Sequence, residues 1–187
     1  ELQQIQLVAD KPMEDVLADP RDAGLGSLPG GGVEVLSDRL HMELFDRKLD
    51  GDEWLDTART AHTAGFRSNV TMLYGHVERP EERVEHMVKI RELQDDTGGF
   101  LTFIPLSFHP ENTDLQHCPP PTGQDDLRNV AVGRLMLDNV DHIKSFWIMN
   151  TAPITQVALW YGADDTDGTI QEYEITRDAD TDTRQAL

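Results

Sequence analysis

Three short stretches of this sequence carry side chains able to do chemistry. Tyr74-Gly75-His76-Val77-Glu78 offers a histidine and a carboxylate, Ser107-Phe108-His109-Pro110-Glu111-Asn112 a second histidine and an amide, and Asn150-Thr151 another amide. His76, Glu78 and His109 are types that ligate zinc, so a metal-dependent barrel hydrolase or isomerase is one reading of them, beside plain solvated loop histidines. Pro29-Gly30-Gly31-Gly32-Val33-Glu34 is a different kind of feature. Three glycines before a helix let the backbone approach an anionic ligand and leave free N–H groups at the helix start, where Glu34 would favour the dipole; a flexible turn is the alternative. Arg134 falls on an apolar helical face with Leu127, Val130, Ala131 and Leu135, so it pairs with a carboxylate, reaches to water, or binds a substrate carboxylate. Cys118 is the single cysteine, in a loop between His117 and a proline run, and reads as an incidental thiol. One thiol excludes a disulfide framework and any site built from several thiolates of this chain alone.

These stretches need elements to place them, and the sequence supplies an alternating series. Met13 to Asp22 reads as a short helix, Gly24 to Gly32 as a glycine-rich turn, and Val33 to Leu44 as a helix with Val33, Leu36, Leu40 and Leu44 at helical spacing. Asp52 caps a helix that runs to about Ala64, where Gly65 stops it. Ser68 to Tyr74 is a strand. Pro80 starts a helix running from Glu81 to Gln94, with Val84, Met87 and Val88 on one face, and Gly98-Gly99 ends it. Phe100 to Leu106 is the next strand, and the proline-rich Ser107 to Gln124 a loop long enough to suggest function. Asp125 and Asp126 open a helix that reaches Asn139. His142 to Met149 then reads as a strand, Ile154 to Tyr161 as a helix, and Thr169 to Tyr173 as a last short strand. Helix and strand alternate throughout, which predicts one α/β domain over residues 1–187 with a parallel sheet, as a barrel or partial barrel. In such a barrel the site lies past the C-terminal ends of the strands, where the three reactive stretches fall.

Composition narrows the partners. The chain has 187 residues, 35 acidic against 16 basic, and a net charge of -19. A surface this acidic repels nucleic acid and anionic lipid, and the excess aspartate along the whole chain fits a halophilic surface in which salt screens self-repulsion. No apolar run is long enough to span a membrane. The N-terminus has neither a basic start nor an apolar stretch, so a signal peptide is not expected there and a cytoplasmic location is. It also lacks an initiator Met, which fits a chain cut from something longer.

Taken together, the segments resemble the later half of aminofutalosine synthase, in the radical S-adenosylmethionine superfamily. The likeness rests on Ala23 to Glu34, Thr71-Met72-Leu73-Tyr74-Gly75-His76-Val77-Glu78, Leu93 to Phe100, Phe103-Ile104-Pro105-Leu106, Phe108-His109-Pro110-Glu111-Asn112-Thr113, Arg134 to Asn139, His142-Ile143-Lys144 and Gly162-Ala163-Asp164-Asp165. The triple glycine and Gly162 to Asp165 are similar to a wider group that includes dehypoxanthine futalosine cyclase and the deazaflavin-forming synthase. Phe108 to Thr113 and His142 to Lys144 look more like aminofutalosine synthase. The resemblance implies the C-terminal part of a radical S-adenosylmethionine barrel, a [4Fe-4S] cluster, and S-adenosylmethionine cleaved to a 5′-deoxyadenosyl radical. That radical adds to 3-[(1-carboxyvinyl)oxy]benzoate to give 6-amino-6-deoxyfutalosine in menaquinone biosynthesis. It implies as partners the small-molecule substrate and an electron donor such as a flavodoxin or ferredoxin.

For the residues, the resemblance implies Tyr74, Gly75, His76 and Glu78 beside the cofactor. It implies Gly30, Gly31, Gly32, Glu34, His109, Asn112 and Arg134 toward the substrate, and leaves the catalytic residue unassigned. The sequence departs from the family at the Cys-x-x-x-Cys-x-x-Cys loop, which it lacks; Cys118 alone cannot hold a cluster that three thiolates hold, so no metal ligand is expected here. Activity is therefore expected of a longer parent. A non-catalytic half-barrel is the remaining alternative.

Overall fold

Helices and strands alternate as the pattern demands, and in a computed structural model that describes residues 2–44 and 50–169 they build one sheet of five parallel strands. The strands β1 (Ser27–Leu28), β2 (Arg67–Tyr74), β3 (Phe100–Ser107), β4 (His142–Ser145) and β5 (Asp165–Thr166) lie side by side in chain order. Helices α1 (Leu2–Ala9) and α2 (Met13–Asp22) precede or flank β1. The crossovers carry α3 (Asp38–Leu44), α4 (Gly51–Thr63), α5 (Pro80–Thr97), α6 (Gly123–Met136), α7 (Trp147–Asn150) and α8 (Ala152–Ala158). A parallel sheet whose spatial order equals its chain order is the arrangement of consecutive barrel staves, consistent with the C-terminal part of a TIM-like barrel.

The core forms where β2 and β3 pair from Ser68↔Phe100 to Tyr74↔Ser107, with one irregularity between Ser68 and Asn69. Val70, Met72, Tyr74, Phe103 and Ile143 bury one face of the sheet against Met87, Ile90 and Leu93 of α5 and Val130 of α6. Each such side chain contributes about 1.5–3 kcal/mol by leaving water. By strand alternation Thr71, Leu73, Ile104, Leu106 and Lys144 take the opposite face.

Several boundaries move from the sequence expectation, each for a local reason. The helix expected from Val33 starts only at Asp38, because Gly32 and Glu34 hold left-handed backbone (φ 82° and 51°) that no helix accepts. Instead, the Glu34 carbonyl accepts the Leu73 N–H at 2.9 Å, so the glycine segment continues β1 along the edge of β2. Gly30 (φ 64°) is needed there: a Cβ would come 1.7 Å from the Asn69 carbonyl oxygen. The cap of α4 is Asp50, not Asp52, in a reciprocal box with Glu53. Helix α6 is capped by Thr122 and ends at Met136, short of Asn139.

The buried face of α5 is Glu82, His86, Met87, Ile90, Leu93 and Gln94, while Val84 and Val88 are 43% and 40% exposed. Polar residues hold core positions here because each has a buried partner. Glu82 accepts from Ser37 and Arg39, His86 Nδ1 accepts the Leu36 N–H at 3.2 Å, and the Gln94 amide bonds both N–H and C=O of Phe100. The strand expected over His142 to Met149 stops at Ser145, and Trp147 begins the one-turn α7. The last helix runs Ala152–Ala158 rather than Ile154 to Tyr161, and a short strand lies at Asp165–Thr166. The strand expected at Thr169 to Tyr173 lies almost wholly outside the described residues. Among the described residues no helix is long and apolar enough to cross a membrane.

Candidate functional site at the strand ends

The C-terminal ends of parallel strands fall on one edge, and there the chain leaves β2 and β3 through two of the reactive stretches, while the third, Asn150-Thr151, follows β4 only at the end of α7. After β2 the turn is closed by Glu78. Its carboxylate accepts the N–H groups of Gly75 and His76 at 2.6 and 2.8 Å, and Arg83 bonds it from α5 at 2.8 Å. The Glu78 side chain is 0% exposed. Gly75 takes φ 92°, and a Cβ there would lie 2.1 Å from the Pro121 ring, so the long loop after β3 can close over the turn only at a glycine.

His76 is drawn into the same turn. Its Nε2 lies 3.2 Å from the Leu73 carbonyl, its ring meets Phe108 edge-on, and burial pulls its pKa down against the opposing pull of the Glu78 carboxylate. Nδ1 is buried without a hydrogen-bond partner, 3.3 Å from Glu78 Oε2. His109 Nε2 lies 3.2 Å from the Met149 carbonyl, which ties the loop after β3 to α7. Asn112 is exposed in the same loop with left-handed backbone, φ 59°.

Behind the mouth lies a polar group that sequence reasoning did not assemble. The Tyr74 hydroxyl donates to Asp126 Oδ1 at 2.6 Å and accepts from the Asn150 amide at 3.0 Å, and the Ser107 hydroxyl joins them. All four residues are buried. Burial pushes both the Tyr74 phenol and the Asp126 carboxyl up from their ordinary values. Asp126 had read as a helix-opening acid; its one distinguishing signal is a second aspartate in a first turn that needs only one. Asn150 precedes Thr151, whose backbone is also left-handed at φ 71°. Nearer the other face, Lys144 is held by Asp165 at 3.3 Å and Asp167 at 3.1 Å.

The structure thus gathers Tyr74, Gly75, His76, Glu78 and His109 at one edge, with Glu34 beside Leu73. Gly30 lies deeper, against Asn69. Arg134 is not among them. Its guanidinium sits at the opposite ends of the strands, on the carbonyls of Gly162 and Asp141 and on Asp164 at 2.7 Å, where those partners occupy its donors. The zinc reading fails on geometry as well: no group of three or more His, Cys, Asp or Glu placed to hold a metal occurs among the described residues.

Comparison with known proteins covers the same ground. Residues 97–186 match the CofH/MqnC C-terminal region. An aminodeoxyfutalosine synthase of Thermus thermophilus is 44% identical over 191 residues, taking in 100% of this chain and 51% of that protein. One of Streptomyces coelicolor is 40% identical, over 96% of this chain and 49% of its own length. A 5-amino-6-(D-ribitylamino)uracil–L-tyrosine 4-hydroxyphenyl transferase of Methanothermobacter thermautotrophicus is 39% identical, over 91% and 48%. The chain spans about half the length of the curated relatives it matches.

Proposed function

We propose that this chain, whose residues 97–186 match the CofH/MqnC C-terminal region, supplies the later staves of a radical S-adenosylmethionine enzyme of the aminodeoxyfutalosine synthase type. The observation that carries this is the 44% identity extending over the whole chain. In this reading the parent enzyme joins the 5′-deoxyadenosyl group to 3-[(1-carboxyvinyl)oxy]benzoate and forms 6-amino-6-deoxyfutalosine for menaquinone synthesis, with a flavodoxin or ferredoxin as electron donor. A second reading, transfer of the tyrosine 4-hydroxyphenyl group, is favoured by relatives of that name at 36–41% identity.

The cofactors fit this chain unequally. A [4Fe-4S] cluster does not fit: the single thiol, Cys118, is 8% exposed in the loop after β3, and three thiolates are required. S-adenosylmethionine fits the turn after β2 in one respect, the buried Nδ1 of His76, an acceptor without a donor that suits an N–H such as that of an adenine amino group. Glu78 acts differently from the expectation of a direct cofactor contact. Its oxygens are taken by Gly75, His76 and Arg83, so it shapes the turn that Tyr74, Gly75 and His76 present. His109, Asn112 and Glu34 are the polar residues this reading assigns to substrate. Arg134 drops out of that set by its position.

The test is reconstitution of the product read from the gene upstream of the Glu1 codon, under anaerobic reduction, with each substrate in turn. Aminodeoxyfutalosine is expected from the enolpyruvyl benzoate. A product formed only from tyrosine and the ribitylaminouracil would favour the second reading, and an upstream stop codon behind a ribosome-binding site would overturn both.

A further inference from the structure

The Tyr74 network is more than the fold requires. A phenylalanine at position 74 would fill nearly the same volume in the core without drawing a carboxylate into it, and a buried carboxylate is costly unless its partners repay the lost hydration. Here they do. Asp126 is 6% exposed and Tyr74 0%, the hydrogen bond between them is 2.6 Å, and the Asn150 amide fixes the phenol oxygen from the other side at 3.0 Å. The Arg83 guanidinium lies 5.7 Å from the ring centroid. The residue next along the chain is Gly75, at the turn of the candidate site.

A phenol gives up an electron readily only if its proton leaves at the same time. Burial beside a carboxylate holds this phenol's pKa well above its ordinary value, so prior ionisation is closed to it. A proton acceptor already sits on its hydroxyl, in the short geometry of a charge-assisted bond. We propose that Tyr74 and Asp126 form a proton-coupled redox pair at the base of the site, able to give one electron to a carbon-centred radical held at the mouth. In that step the Tyr74 O–H bond breaks and its proton passes to the Asp126 carboxylate. Its electron and a proton from water reach the carbon radical together, closing a C–H bond and releasing hydroxide to solvent. A neutral tyrosyl radical and a neutral carboxylic acid remain, and re-reduction by the electron donor returns the proton to Tyr74. The source of the carbon radical rests on the radical-enzyme reading above; the pair itself rests only on the geometry.

The pair is tested without cofactor or substrate. In the chain carrying Tyr161→Phe and Tyr173→Phe, Tyr74 is the one remaining tyrosine. Flash oxidation with a ruthenium tris-bipyridyl complex and a sacrificial acceptor, followed by rapid freezing and electron paramagnetic resonance, should show a tyrosyl radical whose hyperfine structure collapses with ring-deuterated tyrosine. Asp126→Asn, which keeps shape but removes the proton acceptor, should cut its yield about tenfold. Formation should also be slower in D2O than in H2O, a readout needing no variant. A tyrosyl yield unchanged in a folded Asp126→Asn chain, absence of the tyrosyl signal while tryptophan radicals form, or an absent isotope effect would each overturn the pair. None of those outcomes touches the substrate test above, so the two readings fail separately.

Discussion

At the C-terminal ends of the strands Glu78 meets Arg83 with the carboxylate 0% exposed; at the opposite ends Asp164 meets Arg134 with the carboxylate 43% exposed. The two clusters use the same residue types. Both carboxylates also accept backbone N–H groups: Glu78 those of Gly75 and His76, Asp164 that of Ile143 at 2.8 Å. Only the first is cut off from water, and water screens an exposed pair until little of its attraction remains. Burial alone separates a turn held rigidly at the site from a strut holding α6 to β4 and the segment before β5. The opposite end relies instead on uncharged clamps, the Gln94 amide on Phe100 and the His62 ring between Thr97 and Ser68.

Substitution should expose the contrast in graded steps, beginning with the mouth. Tyr74→Ala removes a buried ring and strands Asp126 and Asn150, so denaturant unfolding should show a loss of about 3–5 kcal/mol. A smaller change from Glu78→Gln, about 1–3 kcal/mol, should follow from leaving Arg83 and two backbone donors short of acceptors. Unchanged stability there would mean that the carboxylate is free for a ligand after all. Next comes pH. His86 is buried, and burial, with Lys89 adding to it, depresses its pKa to about 3 from 6.5. The unfolded chain therefore binds a proton that the folded chain refuses. Stability from this group is present above pH 6.5 and falls by about 1–2 kcal/mol between pH 6.5 and 5, a loss that should vanish in His86→Gln. Glu82 adds a second limb of the same sign at lower pH. Its hydrogen bonds from Arg39 bring it from 4.5 to about 2, so its contribution is lost as pH falls through that interval.

At the other end Arg134→Ala should cost no more than about 1 kcal/mol, because its pair with Asp164 is half in water. A loss as large as that at Glu78 would erase the distinction between the two ends. Salt should give the smallest and most diffuse effect. With 35 acidic and 16 basic residues, the melting temperature should rise from dilute buffer to molar potassium chloride as self-repulsion is screened. Indifference to salt would argue against a halophilic surface.

Much of the fold could be read from residue order. The spacing of apolar runs marked β2, β3 and the helix between them, and Pro80 and Gly98 punctuated that helix at both ends, because strand and helix periods and the φ limits of proline and glycine are properties of short segments. The placement of the first two reactive stretches after strand ends followed from the same local signals, whereas the third closes α7 rather than β4. The stretch from Val33 was misread because an edge pairing with β2 outweighs helical spacing, and such a pairing joins residues about forty apart.

What the sequence by itself determined is therefore the α/β alternation, the family likeness, and the absence of the thiolates a cluster needs. Which polar side chains are buried, and with whom, was decided only by the tertiary structure. Tyr74 and Asp126 are 52 positions apart and Tyr74 and Asn150 76 apart. Arg134 and Glu78 carry opposite charges of the kind that serve ligands or struts equally well. No local pattern ranks such residues, because the cost of burying a charge and the partners that offset it are set by the packing of whole elements, after every local preference has been satisfied.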